Sequence, residues 1–345
     1  MMNSMERVMT SIGHKEPDRV PVFLLLSHYG AKELGISIKE YFSKPAYVAE
    51  AQLRMRKKYS NDCLYTFFHA PIEIEAFGGE VVFVEDGPPN SGEPLIISIE
   101  EIMNIDPPKI SESKPLQRVL EATSMLKRSI GDEAPIIGVV MSPFSLPVMQ
   151  MGFEMYMELI YFRKAEFKQL MRINEEFCVS WANAQLEAGA TAICYFDPLA
   201  SPAMIERTKY LETGHPIARR TLSQIKGATA IHLASGIGLP VVDDIIATGS
   251  AVLGFSGQDD LTALKERAAG KICLLGNLNG IDMVNWDGSK TRQQVKDLIR
   301  QAAPGGGFIL SDNHGEIPWQ VPEDVLLEIA QAVKDYGTYP IKVNE

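Results

Sequence analysis

Eight short apolar runs, separated by helical patterns along nearly the whole chain, leave few folds open. They are PVFLLL (21–26), DCLYTF (62–67), PIIGVV (135–140), ATAICYF (190–196), ATAIHLA (228–234), AVLGFS (251–256), KICLLGN (271–277) and GFILSDN (307–313). Each is apolar throughout rather than alternating, as a parallel strand buried on both faces must be. Helical periods fill the gaps, among them 45–59, 167–189 and 321–336, with Ser60 and Gly337 just past the first and last. Strict alternation of strand and helix means either a closed barrel or an open doubly wound sheet. No GxGxxG fingerprint follows the first run, so an α/β fold of the (β/α)8 TIM-barrel type is expected. One stretch breaks the rhythm. Between Ile74 and Lys114, EAFGGEVVFVEDGPPNSGEPLI reads as an inserted β-hairpin near residues 74–98 with a Gly/Pro-rich turn. No composition break or internal repeat divides the chain, so 1–345 is expected to be a single barrel domain.

Composition narrows the partners. A net charge of −11 leaves no background on which a basic nucleic-acid face could be assembled. The four cysteines, Cys63, Cys178, Cys194 and Cys273, lie in apolar segments without CxxC spacing, as buried thiols of a reducing compartment do. The N-terminal stretch carries charges throughout, and no apolar run reaches the roughly 18 residues of a membrane span. The expectation is a soluble, cytoplasmic protein without a membrane partner.

In a parallel barrel the reactive groups come from the C-terminal ends of the strands. Here those ends carry Ser27, His28 and Tyr29, then His69, Asp197, His232, Ser256, Asn277, Asn279, Asp312, Asn313 and His314. One histidine at a strand end is usually structural. Four of the six histidines in such places, His28, His69, His232 and His314, suggest metal ligands, proton donors or substrate clamps. Asp197 reads equally well as a helix cap. The Met- and aromatic-rich piece 141–162, with Met141 and Phe144, is expected to be core or the lining of a pocket suited to an aromatic ligand.

Several of these stretches, EPDRVPVFLLL, EIEAFGGEV, MSPFSLPVMQMG, LEAGATAICYFDPLASPAMI, IHLASG, LLGNLNG and GGFILSDNHGEIPWQVPEDV, resemble the uroporphyrinogen decarboxylase superfamily. They are closer to its corrinoid-dependent methyltransferase branch, which includes methylcobamide:coenzyme M methyltransferases and O-demethylases. The resemblance runs from about residue 5 to residue 340. It implies a TIM barrel with its site at the C-terminal mouth. It also implies transfer of a methyl group from a small methylated donor, expected to be an aromatic methyl ether, to the cobalamin of a separate corrinoid carrier protein. Transfer from methyl-corrinoid to a small acceptor and a catalytically silent homologue are the alternatives.

Two departures bear on the branch. The decarboxylases carry an arginine-rich segment after the first strand, and this chain has LLLSHYGAKE there. The coenzyme M enzymes hold zinc through a histidine, a cysteine two residues later and a second cysteine in the last strand's loop. Here the histidine is His232, while Ala234 and His314 stand at the two cysteine positions and Ser256 replaces an acidic residue. Two readings follow. Either a harder zinc site uses His232, His314, Asp197 and Glu212, or no metal is held and the histidines act on the leaving oxygen directly. On both, His232, Asp197 and His314 are the expected catalytic residues, in one cavity, and His28, Tyr29, His69, Met141, Phe144 and Asn277 are expected to contact substrate.

Overall fold

Seven of the eight apolar runs pair into one parallel sheet in the computed structural model, which describes residues 2–342. The strands are β1 (Leu64–Tyr65), β2 (Val81–Val82), β3 (Asn90–Ser91), β4 (Ile136–Met141), β5 (Ala192–Phe196), β6 (Ala228–His232), β7 (Val252–Gly254), β8 (Cys273–Leu278) and β9 (Phe308–Asp312). The sheet curls in the order β1-β4-β5-β6-β7-β8-β9, so each strand lies beside its successor, as in a TIM barrel. Helices on its outer face link the strands. The helix Lys164–Ala188 ends at Gly189, whose φ of +116° favours a residue without a Cβ and which lies against the Lys127 side chain.

The first apolar run behaves differently from the other seven. Residues 20–26 occupy the gap between β9 and β1, but only Val22 forms a bridge, to Leu310. Pro21 has no N–H to give, and its carbonyl accepts from Leu310 N at 2.9 Å. On the β1 side, side chains replace most of the ladder. Asp62 Oδ2 accepts from Val22 N at 2.9 Å, and Asn61 exchanges bonds of 3.0 and 3.2 Å with the Leu24 backbone. Gln52 joins Leu26 O at 2.6 Å to Tyr65 N at 3.0 Å. Asp62 also accepts from Arg7 at 2.7 Å and Arg19 at 2.8 Å, so one buried carboxylate ties the N-terminal helix Ser4–Ile12 to the seam.

The expected hairpin is much reduced. Val82 pairs with Asn90 and Val81 with Ser91, and one further backbone bond, from Gly92 N to Glu80 O at 2.9 Å, ends the ladder. Its first residues belong to the helix Ile72–Ala76, and Pro88 and Pro89 cannot donate to a ladder.

The core has two layers. Phe23, Leu25, Cys63, Tyr65, Val139, Cys194, Phe196, Val252, Cys273, Leu275 and Ile309 fill the barrel interior, with Val8 of the N-terminal helix. A larger cluster packs the outer face of the sheet against the helices. All four cysteines are free and buried, as the sequence indicated. No helix among the described residues is long and apolar enough to cross a membrane.

Candidate active site at the barrel mouth

Side chains alternate between the two faces of a strand, and parallel neighbours in register share a face. Phe196 points into the interior and pairs with both Met141 and His232, which therefore point inward at the same level. Two residues beyond the inward Tyr65 and Leu275 come Phe67 and Asn277. The C-terminal floor of the barrel is thus Phe67, Met141, Phe196, His232 and Asn277. Phe67 stacks on Phe196 at 5.8 Å between centroids, and the His232 ring leans on Phe196 at 4.7 Å. Asn277 donates to Ser256 O at 3.0 Å and keeps its Oδ1 buried without a partner.

The turn after β6 sets the chemistry of His232. Ala234 and Ser235 adopt φ of 46° and 74°, a left-handed conformation that costs non-glycine residues roughly 1–3 kcal/mol each. The turn brings Ala234 N–H back onto His232 Nδ1 at 3.0 Å. Burial, then the nearby His314, pushes the His232 pKa down to about 3, so the ring is neutral at ordinary pH. A neutral ring that accepts at Nδ1 carries its proton on Nε2. Nε2 is buried and has no partner in the protein. His232 therefore presents an unused N–H donor at the barrel floor.

That ring lies across β7. A Cβ on Gly254, the register partner of His232, would sit 2.2 Å from Cδ2. Gly254→Ala should thus displace the imidazole or the strand and destabilise the protein by about 1–3 kcal/mol. A chemical-denaturation midpoint equal to that of the wild type would show that the ring moves aside freely.

The segment after β9 crosses the mouth. Gly315 lies against Phe196, where a Cβ would come within 2.4 Å of Cε1, and its carbonyl accepts from Tyr65 OH at 3.0 Å. Glu316 binds Ser27 Oγ and His28 Nδ1, and Trp319 stacks on His28 at 5.9 Å. Asp312 anchors this segment by accepting from Leu25 N at 2.9 Å and Gly315 N at 3.1 Å. Burial pushes its carboxyl up to about 7.

The expected residues divide accordingly. His232, Met141 and Asn277 are on the floor. The half-buried His314 stands near His232, beside the Asn313 side-chain amide, which donates to His314 Nδ1 once its nitrogen is turned toward the ring. His28 lies beneath the crossing segment, with Nε2 buried and unpartnered. His69 is behind the wall, between Phe42 and Phe83.

Five expectations need correction, the substrate contact of His69, which lies behind the wall, among them. Asp197 is one residue past the inward Phe196, so it faces the helices. It accepts from Ser142 and Ser145 at 2.7 Å each and faces Tyr210 OH at 3.4 Å, and burial pushes its carboxyl up to about 6. Tyr29 points into the outer core and donates to Val321 O at 3.0 Å. Phe144 packs among Tyr156, Phe167 and Tyr210. Glu212 is on the surface helix Arg207–Glu212, paired with Lys209 at 2.9 Å. Sequence reasoning passed over Tyr65, Phe67, Phe196 and Glu316. The parity of Phe67 and Phe196 at their strand ends was the available signal.

The zinc ligands expected from the sequence do not converge. Asp197 and Glu212 point elsewhere, and a metal-bound histidine normally donates from its second nitrogen, whereas His232 Nδ1 accepts. Among the described residues no three His, Cys, Asp or Glu side chains converge on a point where a metal could sit. The residues present do not fit the ion.

Comparison with known proteins follows the same architecture. The uroporphyrinogen decarboxylase (URO-D) family matches residues 3–336. Uroporphyrinogen decarboxylases of Magnetococcus marinus and Xylella fastidiosa are similar at 23% identity (97% of this chain, 98% of that one) and 22% (94% and 98%). A methyltransferase from Methanosarcina mazei has the same fold, with a TM-score of 0.83 at 19% identity, covering 97% of this chain and 99% of its own. A B12-independent methionine synthase from Shewanella sp. W3-18-1 is more distant, with a TM-score of 0.52 at 11% identity, covering 93% and 94%. The curled sheet with its floor at the C-terminal strand ends and the match over nearly the whole chain agree: this protein belongs to the uroporphyrinogen decarboxylase family.

Proposed function

We propose that the protein is a methyltransferase that takes a methyl group from a small methylated donor, an aromatic methyl ether, and passes it to the corrinoid of a separate carrier protein. The observation that carries this reading is the unpartnered Nε2–H of His232 beside the Phe67–Phe196 stack. A reduced corrinoid supplies a cobalt nucleophile for the methyl group. The chain's own part is to hold the donor and stabilise what departs. Phe67 and Phe196 offer an aromatic surface for the ring. His232 Nε2–H donates to the ether oxygen, and that hydrogen bond strengthens as the oxygen becomes a phenolate. The crossing segment 313–319 keeps water from the floor.

The names of the curated relatives favour decarboxylation of a tetrapyrrole. The acetate and propionate arms of such a substrate would need guanidinium or ammonium partners, and the floor residues Phe67, Met141, Phe196, His232 and Asn277 include no arginine or lysine. One assay separates the readings. The protein is incubated with reduced corrinoid carrier and a panel of methoxyaromatics and methylamines, and the cob(I)alamin to methylcobalamin spectral change is followed. Uroporphyrinogen is tested in parallel. Methylation with a methoxyaromatic is the expected result, and porphyrinogen turnover without methylation would overturn it.

A further inference from the structure

The N–H of His232 that would meet a substrate is sealed off. His232 is 0% exposed and its Nε2 is buried, while Phe196 beside it is 5% exposed. A short stretch of backbone after β9 lies on both rings. A Cβ on Gly315 would collide with the Phe196 ring and stand 3.7 Å from His232 Cε1. Gly315 holds this approach at a φ of +90°, a conformation that favours glycine. No molecule reaches a wholly buried atom without displacing what covers it.

The covering stretch is anchored at both ends. At one end Asn313 N donates to Leu278 O at 3.0 Å, and Asn313 O accepts from Ser235 N at 2.8 Å. At the other, Ile317 is fully buried and its N–H donates to Leu25 O at 3.0 Å. Between these anchors, residues 314–316 make no backbone–backbone hydrogen bond among the described residues. Side chains hold them instead. Tyr65 OH donates to Gly315 O at 3.0 Å, Asp312 Oδ2 accepts from Gly315 N at 3.1 Å, and Glu316 binds Ser27 Oγ and His28 Nδ1. Tyr65 and Asp312 are 1% and 0% exposed, whereas the Glu316 side chain is 17% exposed. Glu316 is therefore the holding group that water can most readily replace. Segments with few backbone hydrogen bonds are those that open locally while the rest of a fold stays intact.

We propose, resting on the reading of His232 as the group that meets the methyl donor, that residues 314–316 are a gate over the barrel floor. Glu316 latches it shut on Ser27 and His28, and it swings outward between Asn313 and Ile317 to admit the substrate. In the closed state Gly315 occupies the aromatic surface of Phe196 on which the substrate ring would lie, so the free protein is self-inhibited. Glu316 is thus a positioning residue that sets how often the mouth opens.

Hydrogen exchange on the free chain tests the gate. In the wild type the amides of His314, Gly315 and Glu316 should exchange at least about tenfold faster than those of Asn313 and Ile317, because opening releases them without unfolding β9. Glu316→Gln keeps the size of the latch but not its charge, and should speed exchange at 314–316 by roughly tenfold, since charge-assisted hydrogen bonds are the stronger kind. The Leu310 N–H in β9, bonded to Pro21 O, should not change. Accessibility of the ring is the second readout. Diethyl pyrocarbonate acylates neutral imidazoles, and peptide mass mapping separates His232 from the half-buried His14 and His215. His232 should react more slowly than those two in the wild type and faster in Glu316→Gln. Wild-type His232 reacting as fast as His14 would overturn the gate. So would a Glu316→Gln variant whose exchange or His232 acylation is unchanged, or whose faster exchange extends equally to Leu310. Neither readout needs substrate, so a failed methyl-transfer assay beside an accelerated gate counts against the methyl-donor reading and not against the gate.

Discussion

His232→Ala should cut methyl transfer by at least roughly 100-fold, the usual worth of a positioned hydrogen-bond donor or acid in the reacting centre. His232 is the floor residue with an unpartnered N–H, and alanine leaves the departing oxygen without a donor. The fold should survive, because alanine fits above Gly254 more easily than the ring does. The pH dependence gives an independent signature. In the unfolded chain the imidazole takes up a proton near 6.5, whereas in the folded chain it does so only near 3. A depressed histidine pKa means that the unfolded state binds more protons in that window, so stability falls as pH drops from about 6.5 toward 3. His232→Ala should flatten part of that fall, with His69, pushed down to about 3 by burial, accounting for another part. Denaturation midpoints across that range measure it. Wild-type rates with an unchanged acid limb would assign His232 no more than a packing role.

Asp62→Ala should cost about 3–5 kcal/mol of stability, the scale for removing one member of a buried ion pair. The loss strands several groups at once. Arg7, with a side chain 7% exposed, would keep Asp18 and the Met2 carbonyl, Arg19 would be left with the Val20 carbonyl, and the Val22 N–H would lose its partner. The barrel is especially sensitive here, because between residues 20–26 and β1 much of the hydrogen bonding passes through side chains. Asp62→Asn keeps an acceptor for Val22 N–H but not the charge, so an intermediate loss is expected. Urea denaturation measures all three proteins. A loss below about 1 kcal/mol for the alanine variant would mean that the seam closes without this carboxylate, since that is the scale of an exposed pair.

Glu73 supplies an opposite pH signature. Its carboxyl ionises near 4.5 in the unfolded chain and near 8 in the folded one. The folded state holds the extra proton between those values, so this group's contribution to stability is full below about 4.5 and is lost as pH rises through about 8. Glu73→Gln should remove that decline, leaving the variant relatively more stable than the wild type above pH 8 than at pH 5. An identical pH profile for both proteins would show that Glu73 does not stay protonated in the fold.

Local features were legible in the chain. Continuous apolar runs mark strands buried on both faces and a period of 3.6 residues marks helices, and the runs located β4 through β9 within a residue or two. The order of the strands followed from alternation, and the position of His232 at a strand end from the last apolar residues of its run. What the sequence left undetermined depended on groups distant along the chain. Whether 21–26 pairs as a strand turned on Asn61 and Asp62, about 40 residues away. The hairpin stayed short because Pro88 and Pro89 have no N–H to extend the ladder.

The site divides along the same line. Strand ends could be named from sequence, but the face of each depends on a parity of one residue, which tertiary burial decides. Phe196 therefore reaches the floor and Asp197, its neighbour, faces Ser142, Ser145 and Tyr210 on the other side. The choice between His232 as a ligand and His232 as a donor could not be read from its neighbours in the chain. It turned on where one backbone N–H points, which the left-handed turn at Ala234 and Ser235 fixes and no side-chain pattern encodes. The sequence by itself thus determined which residues stand at the mouth's edge, because strand ends are local. Only the tertiary structure decided which of them look inward and which nitrogen of His232 carries the proton, because both depend on burial and on hydrogen bonds made in space.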